Sequence, residues 1–295
     1  MKHTSYDLEQ MQSLPLEAKV RMTQQRIKAW YEHFDGEVYV SFSGGKDSTV
    51  LKHIVDGLYP DVPSVFVNTG LEYPEVRRFA LKQPNVLRVD PKMKFYEVIE
   101  RYGYPVPSKE QAKYIYETRT TKSETLRQIH LHGKNGTRSG KISDKWLYLL
   151  DAPFKISHKC CDIMKKAPSK KYERETGRKP IVGTMTHESR LRREAWMQHG
   201  CNAFDSKRPV SQPMSFWTEQ DVLQYIKTNG LEIASVYGDI VETDGQLRLT
   251  GCQRTGCMFC MFGIDQDDTP NRFQKMAHTH TNITIVSTSW ASERS

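Results

Sequence analysis

The segment YVSFSGGKDSTVL sets Ser43, Gly44, Gly45, Lys46, Asp47 and Ser48 in six consecutive positions directly after an apolar run. Gly44 and Gly45 let the backbone turn tightly beside an anion. The N–H groups of the turn and of the helix start that follows then point at a phosphate. Lys46 neutralises phosphate charge, and Ser43 and Ser48 donate hydroxyl hydrogen bonds. Asp47 sits where a carboxylate is favoured and is placed to help hold a Mg²⁺ that bridges phosphates. This is not a Walker A loop, because Asp47 stands where Ser or Thr would follow Gly-Lys and the upstream glycine is missing.

A second chemistry lies in the thiols. The cysteines are Cys160, Cys161, Cys201, Cys252, Cys257 and Cys260, all in the second half of the chain. Cys252-x4-Cys257-x2-Cys260 is compact, and the Cys160-Cys161 pair lies about ninety residues upstream. Clustered thiols in a long chain suit metal ligation better than a disulfide framework. Spacing alone leaves a structural Zn²⁺ and an iron–sulfur cluster both open. Cys201 stands apart and reads as a buried or free thiol.

Arg190, Arg192 and Arg193 offer planar donor forks for phosphate or sulfate, and Arg190 and Arg193 share a helix face. The same residues also suit a solvated basic surface. Asn68, Thr69 and Gly70 follow a predicted strand, where open α/β sheets bind ligands. Trp217 and Tyr225 read as core packing before base stacking. Residues 165–179 carry seven Lys or Arg against two Glu, with Tyr172 as a possible stacking group, and Lys134, Arg138, Lys141 and Lys145 add charge. These stretches fit either a polyanion footprint or a solvated helix face.

The elements that must position these groups alternate. Residues 7–34 read as helical, divided near Pro15. Residues 37–42, 64–68, 86–90 and 180–185 read as strands. Residues 43–48 read as a turn, with helices over 49–55, from about 74, and over 93–102. Further helices are predicted over 109–130, 145–150, 188–199 and 218–227, the last capped by Thr218 and ended near Gly230. Such alternation implies an α/β fold with a parallel twisted sheet flanked by helices. Three segments are expected: an N-terminal helical segment, 1–35; a nucleotide-binding domain, 36–200; and a helical C-terminal region bearing the cysteines, 201–295, with a frayed TSWASERS tail.

Composition bounds the alternatives. Of 295 residues, 37% are apolar and 26% charged, which excludes a disordered chain. No apolar run approaches the roughly 18 residues of a membrane span. The start, MKHTSYDLEQMQSL, lacks a basic segment followed by an apolar one, so a cytoplasmic protein without a membrane partner is expected. The net charge of +8 favours anionic partners.

SGGKDS behind a strand resembles the PP-loop of the adenine nucleotide α-hydrolase superfamily. Further motifs resemble the phosphoadenosine phosphosulfate (PAPS) reductase family within it, over roughly residues 36–262. VNTGLEYPEV resembles its second-strand motif, with Asn68 where an Asp is common. Cys160, Cys161, Lys165 and Pro168 follow its Cys-Cys segment. His187, Glu188, Ser189, Arg190, Arg192 and Arg193 resemble its Glu-Ser-x-x-Arg element. Pro213, Trp217, Thr218, Asp221, Val222, Tyr225 and Ile226 match its Pro…Trp-Thr…Asp-Val…Tyr-Ile helix.

The resemblance implies an enzyme that binds ATP or another adenine nucleotide through residues 43–48 and 68–70, with Lys46, Asp47, Arg190 and Arg193 as catalytic groups. It also shifts the metal reading to a 4Fe–4S cluster, zinc being the alternative. Cys257, Cys260 and Cys160 are then ligands, and Cys161 and Cys252 compete for the fourth place. Assimilatory sulfonucleotide reductases carry a nucleophilic cysteine near their C-terminus, and this sequence has none after Cys260. The leading expectation is therefore ATP-dependent adenylation and sulfur transfer to tRNA, DNA or a small molecule, with a sulfur donor such as a cysteine desulfurase. The alternatives are a reductase of adenylyl or phosphoadenylyl sulfate, and a non-catalytic nucleotide- or nucleic-acid-binding module.

Overall fold

The computed structural model describes residues 3–264, 267 and 269–281. Its elements run α1 (Ser5–Gln12), α2 (Leu16–His33), β1 (Val38–Phe42), α3 (Lys46–Asp56), β2 (Ser64–Val67), α4 (Pro74–Lys82), β3 (Val86–Val89), α5 (Phe95–Tyr102), α6 (Lys109–Thr120) and α7 (Glu124–His132). They continue with α8 (Ala167–Thr176), β4 (Lys179–Val182), α9 (Arg190–His199), β5 (Asn202–Ala203), β6 (Val210–Ser211), α10 (Glu219–Asn229), β7 (Ile240–Thr243), β8 (Gln246–Leu249) and α11 (Arg272–Thr279).

The described residues divide into two compact units. One holds the residues up to Pro91 together with Lys165–Thr255, and the other holds Lys92–Met164 with the residues from Gly256 onward. This grouping differs from the segments expected at 1–35, 36–200 and 201–295. α1 and α2 belong with the sheet, because Ile27 and Trp30 of α2 are fully buried. α10 also belongs with it, since Lys19 Nζ meets Asp221 Oδ2 at 2.6 Å.

In the first unit the main sheet has the order β3-β2-β1-β4-β6-β5. Its pairs are parallel except the short β5–β6 edge. β1 is central and both of its faces are covered: Val38, Tyr39, Val40 and Phe42 are at most 2% exposed. A strand buried on both faces reads as a continuous apolar run, as VYVSF does. The chain steps from β1 to β2 on one side, while β4 joins β1 on the other. The strand order therefore reverses between β1 and β4, the place where sheets of this kind open a crevice at their carboxyl ends.

The second unit is helical. Its core comprises Val106, Ala112, Ile115, Ile142, Leu149 and Ile156, with Trp146 and Phe262 packed against it. Among the described residues no helix is long and apolar enough to cross a membrane.

Several boundaries differ from expectation for identifiable reasons. The helix expected from residue 49 begins at Lys46, because Gly45 acts as its N-cap residue and its carbonyl accepts from Ser48 Oγ and Thr49 Oγ1. The single helix expected over 109–130 is two, since the Ser123 hydroxyl caps a fresh start by accepting the Leu126 N–H. Residues 145–150 lie in a 3₁₀ helix, Asp144–Asp151. The region after 230 was expected to be helical but carries the β7–β8 hairpin. Asp244 and Gly245 both take positive φ at its turn, the geometry an Asp-Gly pair favours. TSWASERS lies outside the described residues.

Candidate functional site

The SGGKDS loop leaves the carboxyl end of β1 and becomes the first turn of α3. Gly44 has φ +72°, and a Cβ there would lie within 3.0 Å of Ala80 Cβ and of the Val76 carbonyl oxygen. α4 therefore presses on the loop at a point only glycine permits. The Ser43 and Ser48 hydroxyls lie 3.0 Å apart, and Ser48 Oγ also receives the Ser43 N–H at 3.2 Å. Gly45 donates its N–H to Ser43 Oγ at 3.3 Å. The serines thus fold the loop on itself. No side chain caps the start of α3. Orphan amides with the positive end of the helix dipole form an anion-binding corner.

Tyr237, from a segment the sequence reading did not single out, closes one side. Its hydroxyl accepts the Lys46 N–H at 3.2 Å and lies 2.6 Å from Thr255 Oγ1.

The Lys46 side chain is buried, with Nζ 3.3 Å from both Asp47 Oδ1 and Glu219 Oε1. Burial alone would lower its pKa, but the two carboxylates outweigh burial and raise it. Burial raises the pKa of Asp47. Lys46 partly offsets that shift, and repulsion from Glu188 and Glu219 reinforces it. Glu219 was also missed, although it is the first residue of a helix whose capping box was legible. Thr218 Oγ1 accepts from Asp221, and Asp221 accepts from Thr218. Buried Lys19 pins that same Asp221, so the start of α10 is fixed and Glu219 is delivered to Lys46.

β2 ends in the second predicted group. Asn68 Nδ2 donates to Asp90 Oδ1 at 2.6 Å, so a neighbouring carboxylate stands beside it. Thr69 Oγ1 donates to Glu72 Oε1 at 2.5 Å and accepts the Leu71 N–H. Gly70 turns with φ +75°.

Buried polar atoms without a hydrogen-bond partner concentrate at this edge. Of ten such atoms among the described residues, six belong to it: Asp47 Oδ1, Asn68 Oδ1, Glu72 Oε2, Thr184 Oγ1, Thr186 Oγ1 and Glu219 Oε1. Asp47 and Glu219 sit at ion-pair distance from Lys46 without hydrogen-bond alignment. Unsatisfied buried polar groups are costly, and their concentration in one place calls for a ligand. The donor set is right for an adenine nucleotide and Mg²⁺: amides and an ammonium for phosphate, spare carboxylate oxygens for a hard cation, and spare acceptors for hydroxyl or amino groups.

The predicted arginines are arranged differently. Arg190 is mostly exposed and pairs with Glu194, and Arg193 reaches Glu9 of α1 at 3.7 Å. Neither makes a described contact with the loop. Arg192 instead pairs with Glu188, the carboxylate that acts on Asp47. Trp217 and Tyr225 are core residues, as expected: Trp217 Nε1 donates to Thr23 Oγ1 at 2.9 Å, and Tyr225 Oη lies 2.9 Å from His53 Nδ1. Tyr172 packs edge-on against Tyr39 of β1. Cys201 is buried and accepts from Trp196 Nε1.

Cys160, Cys161, Cys257 and Cys260 all belong to the second unit, and Cys252 belongs to the first. The Cys260 N–H bonds the Cys257 carbonyl at 3.0 Å, closing the Cys-x2-Cys turn. Ile156 and Phe262, close in sequence to the two pairs, share one core. Among the described residues no three His, Cys, Asp or Glu side chains are grouped to hold a metal ion. The donor chemistry suits a thiolate-bound metal, but among the described residues these thiols form no assembled site.

Comparison with known proteins adds the following. The family model described as phosphoadenosine phosphosulfate reductase domain matches residues 37–135 and 116–261. An uncharacterized protein of Methanocaldococcus jannaschii is 25% identical over 248 residues, covering 82% of this chain and 46% of that protein. Phosphoadenosine 5'-phosphosulfate reductases of Serratia proteamaculans and Vibrio parahaemolyticus are 36% and 39% identical over 56 residues, covering 19% of this chain and 23% and 22% of theirs. The matched stretches span less than half the length of each of these curated relatives. A crystal structure of the PAPS reductase from Candida auris as a phosphate complex aligns with a TM-score of 0.42 and 14% identity, over 83% of this chain and 98% of that one.

Proposed function

The chain belongs to the phosphoadenosine phosphosulfate reductase domain family, and from that premise we propose that its first unit binds an adenine nucleotide at the carboxyl edge of the sheet and uses it in sulfur chemistry. The concentration at that edge of buried polar atoms that make no hydrogen bond carries this reading. The leading form is ATP-dependent adenylation followed by sulfur transfer.

In that reaction an oxygen of the acceptor attacks the α-phosphorus. The new O–P bond forms as the bond to pyrophosphate breaks, and pyrophosphate leaves. The outer sulfur of a persulfide on a sulfur donor, such as a cysteine desulfurase, then displaces AMP, which departs with the acceptor's former oxygen, and a second thiol attacks the donor's inner sulfur, forming a disulfide with it and releasing the sulfur on the acceptor. The acceptor is a nucleic acid or a small molecule.

The chain's own groups have distinct roles. The first turn of α3 and Lys46 hold the phosphates and stabilise the charge that grows on them. Asp47 and Glu219 would hold Mg²⁺, which when bound neutralises the polyphosphate. Asn68 and Glu72 offer acceptor oxygens to nucleoside hydroxyl or amino groups. Arg192 steadies Glu188, and Arg190 and Arg193 reach the reaction only if nucleotide binding redirects them. Release of pyrophosphate from ATP in the presence of Mg²⁺ and an acceptor tests the proposal, and its absence with every acceptor class would contradict it.

A second reading is reduction of a sulfonucleotide, favoured by the short matches to the Serratia and Vibrio reductases. It predicts sulfite release from phosphoadenylyl sulfate and no pyrophosphate from ATP.

We also propose that Cys160, Cys161, Cys257 and Cys260, four thiols of one unit, hold a 4Fe–4S cluster. When bound, the cluster would supply electron or sulfur-carrying chemistry.

A further inference from the structure

We propose that residues 132–148 of the second unit form a docking surface for a single-stranded nucleic-acid segment, with Tyr148 stacking on an unpaired base and Lys134, Arg138, Lys141 and Lys145 holding the flanking phosphates. The proposal names the acceptor class of the sulfur-transfer reaction and rests on that reading only to this extent. The surface itself is argued from the second unit alone.

Charge is the first observation. Residues 92–164 contain fourteen Lys and Arg against eight Asp and Glu, a net of +6 within a chain of net +8. Within 132–148 the four cations face a single acid, Asp144. Asp144 lies 2.8 Å from Lys141. Among the described residues neither Lys134 nor Arg138 has an ion-pair partner, and both are exposed. In the other basic stretch, 165–179, Lys171 pairs with Glu175 and Arg178 with Glu37, and its one aromatic ring, Tyr172, packs edge-on against Tyr39.

The loop that carries the cations has a fixed shape. Its base is tied at His130, which is buried: the Ile142 N–H donates to the His130 carbonyl at 2.8 Å, and His130 Nδ1 lies 2.8 Å from the Gly140 carbonyl. Gln111 of α6 grips the far end through the Lys141 carbonyl and the Ser143 N–H. Inside the loop, Lys134 donates its N–H to the Ser139 carbonyl at 2.9 Å, and Thr137 closes on the Lys134 carbonyl. Gly133, at φ +88°, leaves no space for a Cβ against Thr137. Binding to such a loop forfeits less ordering entropy than binding to a flexible basic tail.

The aromatic groups decide between strands and duplexes. Tyr148 is 64% exposed on a 3₁₀ helix whose Leu149 lies in the core. Its ring lies 6.3 Å from Trp146, which packs against the core and carries Lys145 Nζ at 4.8 Å from its centroid. An exposed ring on a rigid support, in a stretch that also carries exposed cations, is the pattern that binds single strands. A duplex buries the base faces such a ring would stack on.

The test is fluorescence anisotropy with a labelled oligothymidylate of about 12 nucleotides, without ATP, at several salt concentrations. Affinity should fall steeply with salt. Tyr148→Ala should weaken binding by at least about fivefold with the salt slope unchanged, and Tyr148→Phe should bind like the parent protein. Lys134→Glu combined with Arg138→Glu should flatten the slope by about 1.4, two contacts at roughly 0.7 each. A duplex of the same length should bind more weakly and ignore Tyr148. Equal affinity for strand and duplex, or parent-like binding by Tyr148→Ala, overturns the proposal. All these side chains are exposed or half-exposed, so the variants retain the fold. Pyrophosphate release is measured separately, so loss of the adenylation reading and loss of this surface give different results.

Discussion

At Lys46 burial and charge pull in opposite directions, and charge prevails because two carboxylates share the ammonium. Lys46→Ala should weaken ATP binding by about 10- to 100-fold, the worth of a charge-assisted contact, as titration calorimetry would read. Asp47 is the converse case. Its folded pKa is raised from the ordinary 3.8, chiefly by burial, so ionising it costs more in the fold than in the unfolded chain even with Lys46 beside it. Below pH 3.8 folded and unfolded states are both protonated and the fold loses nothing. As the pH rises through the elevated folded value, ionisation costs stability. Asp47→Asn should therefore raise the melting temperature of nucleotide-free protein at neutral pH by a few degrees, with the gain vanishing in acid. A lower melting temperature at neutral pH would contradict that account. The residues adjacent in sequence, Ser43 to Ser48, were legible because one short stretch carries the whole pattern. Tyr237, Thr255 and Glu219 were not, because the topology brings them to the loop from about 170 to 210 residues away.

The start of α10 matters at the scale of elements because it delivers Glu219. Lys19, 2% exposed, ties α2 to that start through Asp221. Lys19→Met leaves Asp221 with only its Thr218 bonds and should cost about 3 kcal/mol in urea unfolding. The loop depends equally on α4. Gly44→Ala combines a positive φ with contacts too close for a Cβ, and should cost about 1–3 kcal/mol while lowering nucleotide affinity. A variant as stable as the parent would show that α4 does not constrain the loop. Element types were largely readable from periodicity, and α10 from its capping pattern. The boundaries that differed turn on single hydrogen bonds: Ser48 and Thr49 to Gly45 started α3 early, and Ser123 divided α6 from α7. The β7–β8 hairpin had a signal in Asp244-Gly245 and in the alternation of Gln246, Leu247, Arg248 and Leu249, which the expectation of a helical 201–295 passed over.

For the whole molecule, the parallel sheet and its reversal of strand order between β1 and β4 account for why the phosphate loop, the Asn68 turn and the start of α10 meet at one edge. The alternation of strands and helices made the sheet legible. The division into two units was not legible, because residues 92–164 are an excursion whose core is completed by Phe262 from far along the chain. The thiols belong to this scale as well. Anaerobically purified protein should contain about four iron and four acid-labile sulfide per chain, and stoichiometric zinc without iron would contradict the cluster.

The central claim is that the main chain from Ser43 to Thr49 grips a nucleotide's phosphates. Amide hydrogen exchange over that segment, followed with and without ATP and Mg²⁺, tests it most directly. Exchange at the amides of the loop and of the first turn of α3 should slow markedly on adding nucleotide. Unchanged exchange there at saturating ATP would contradict it.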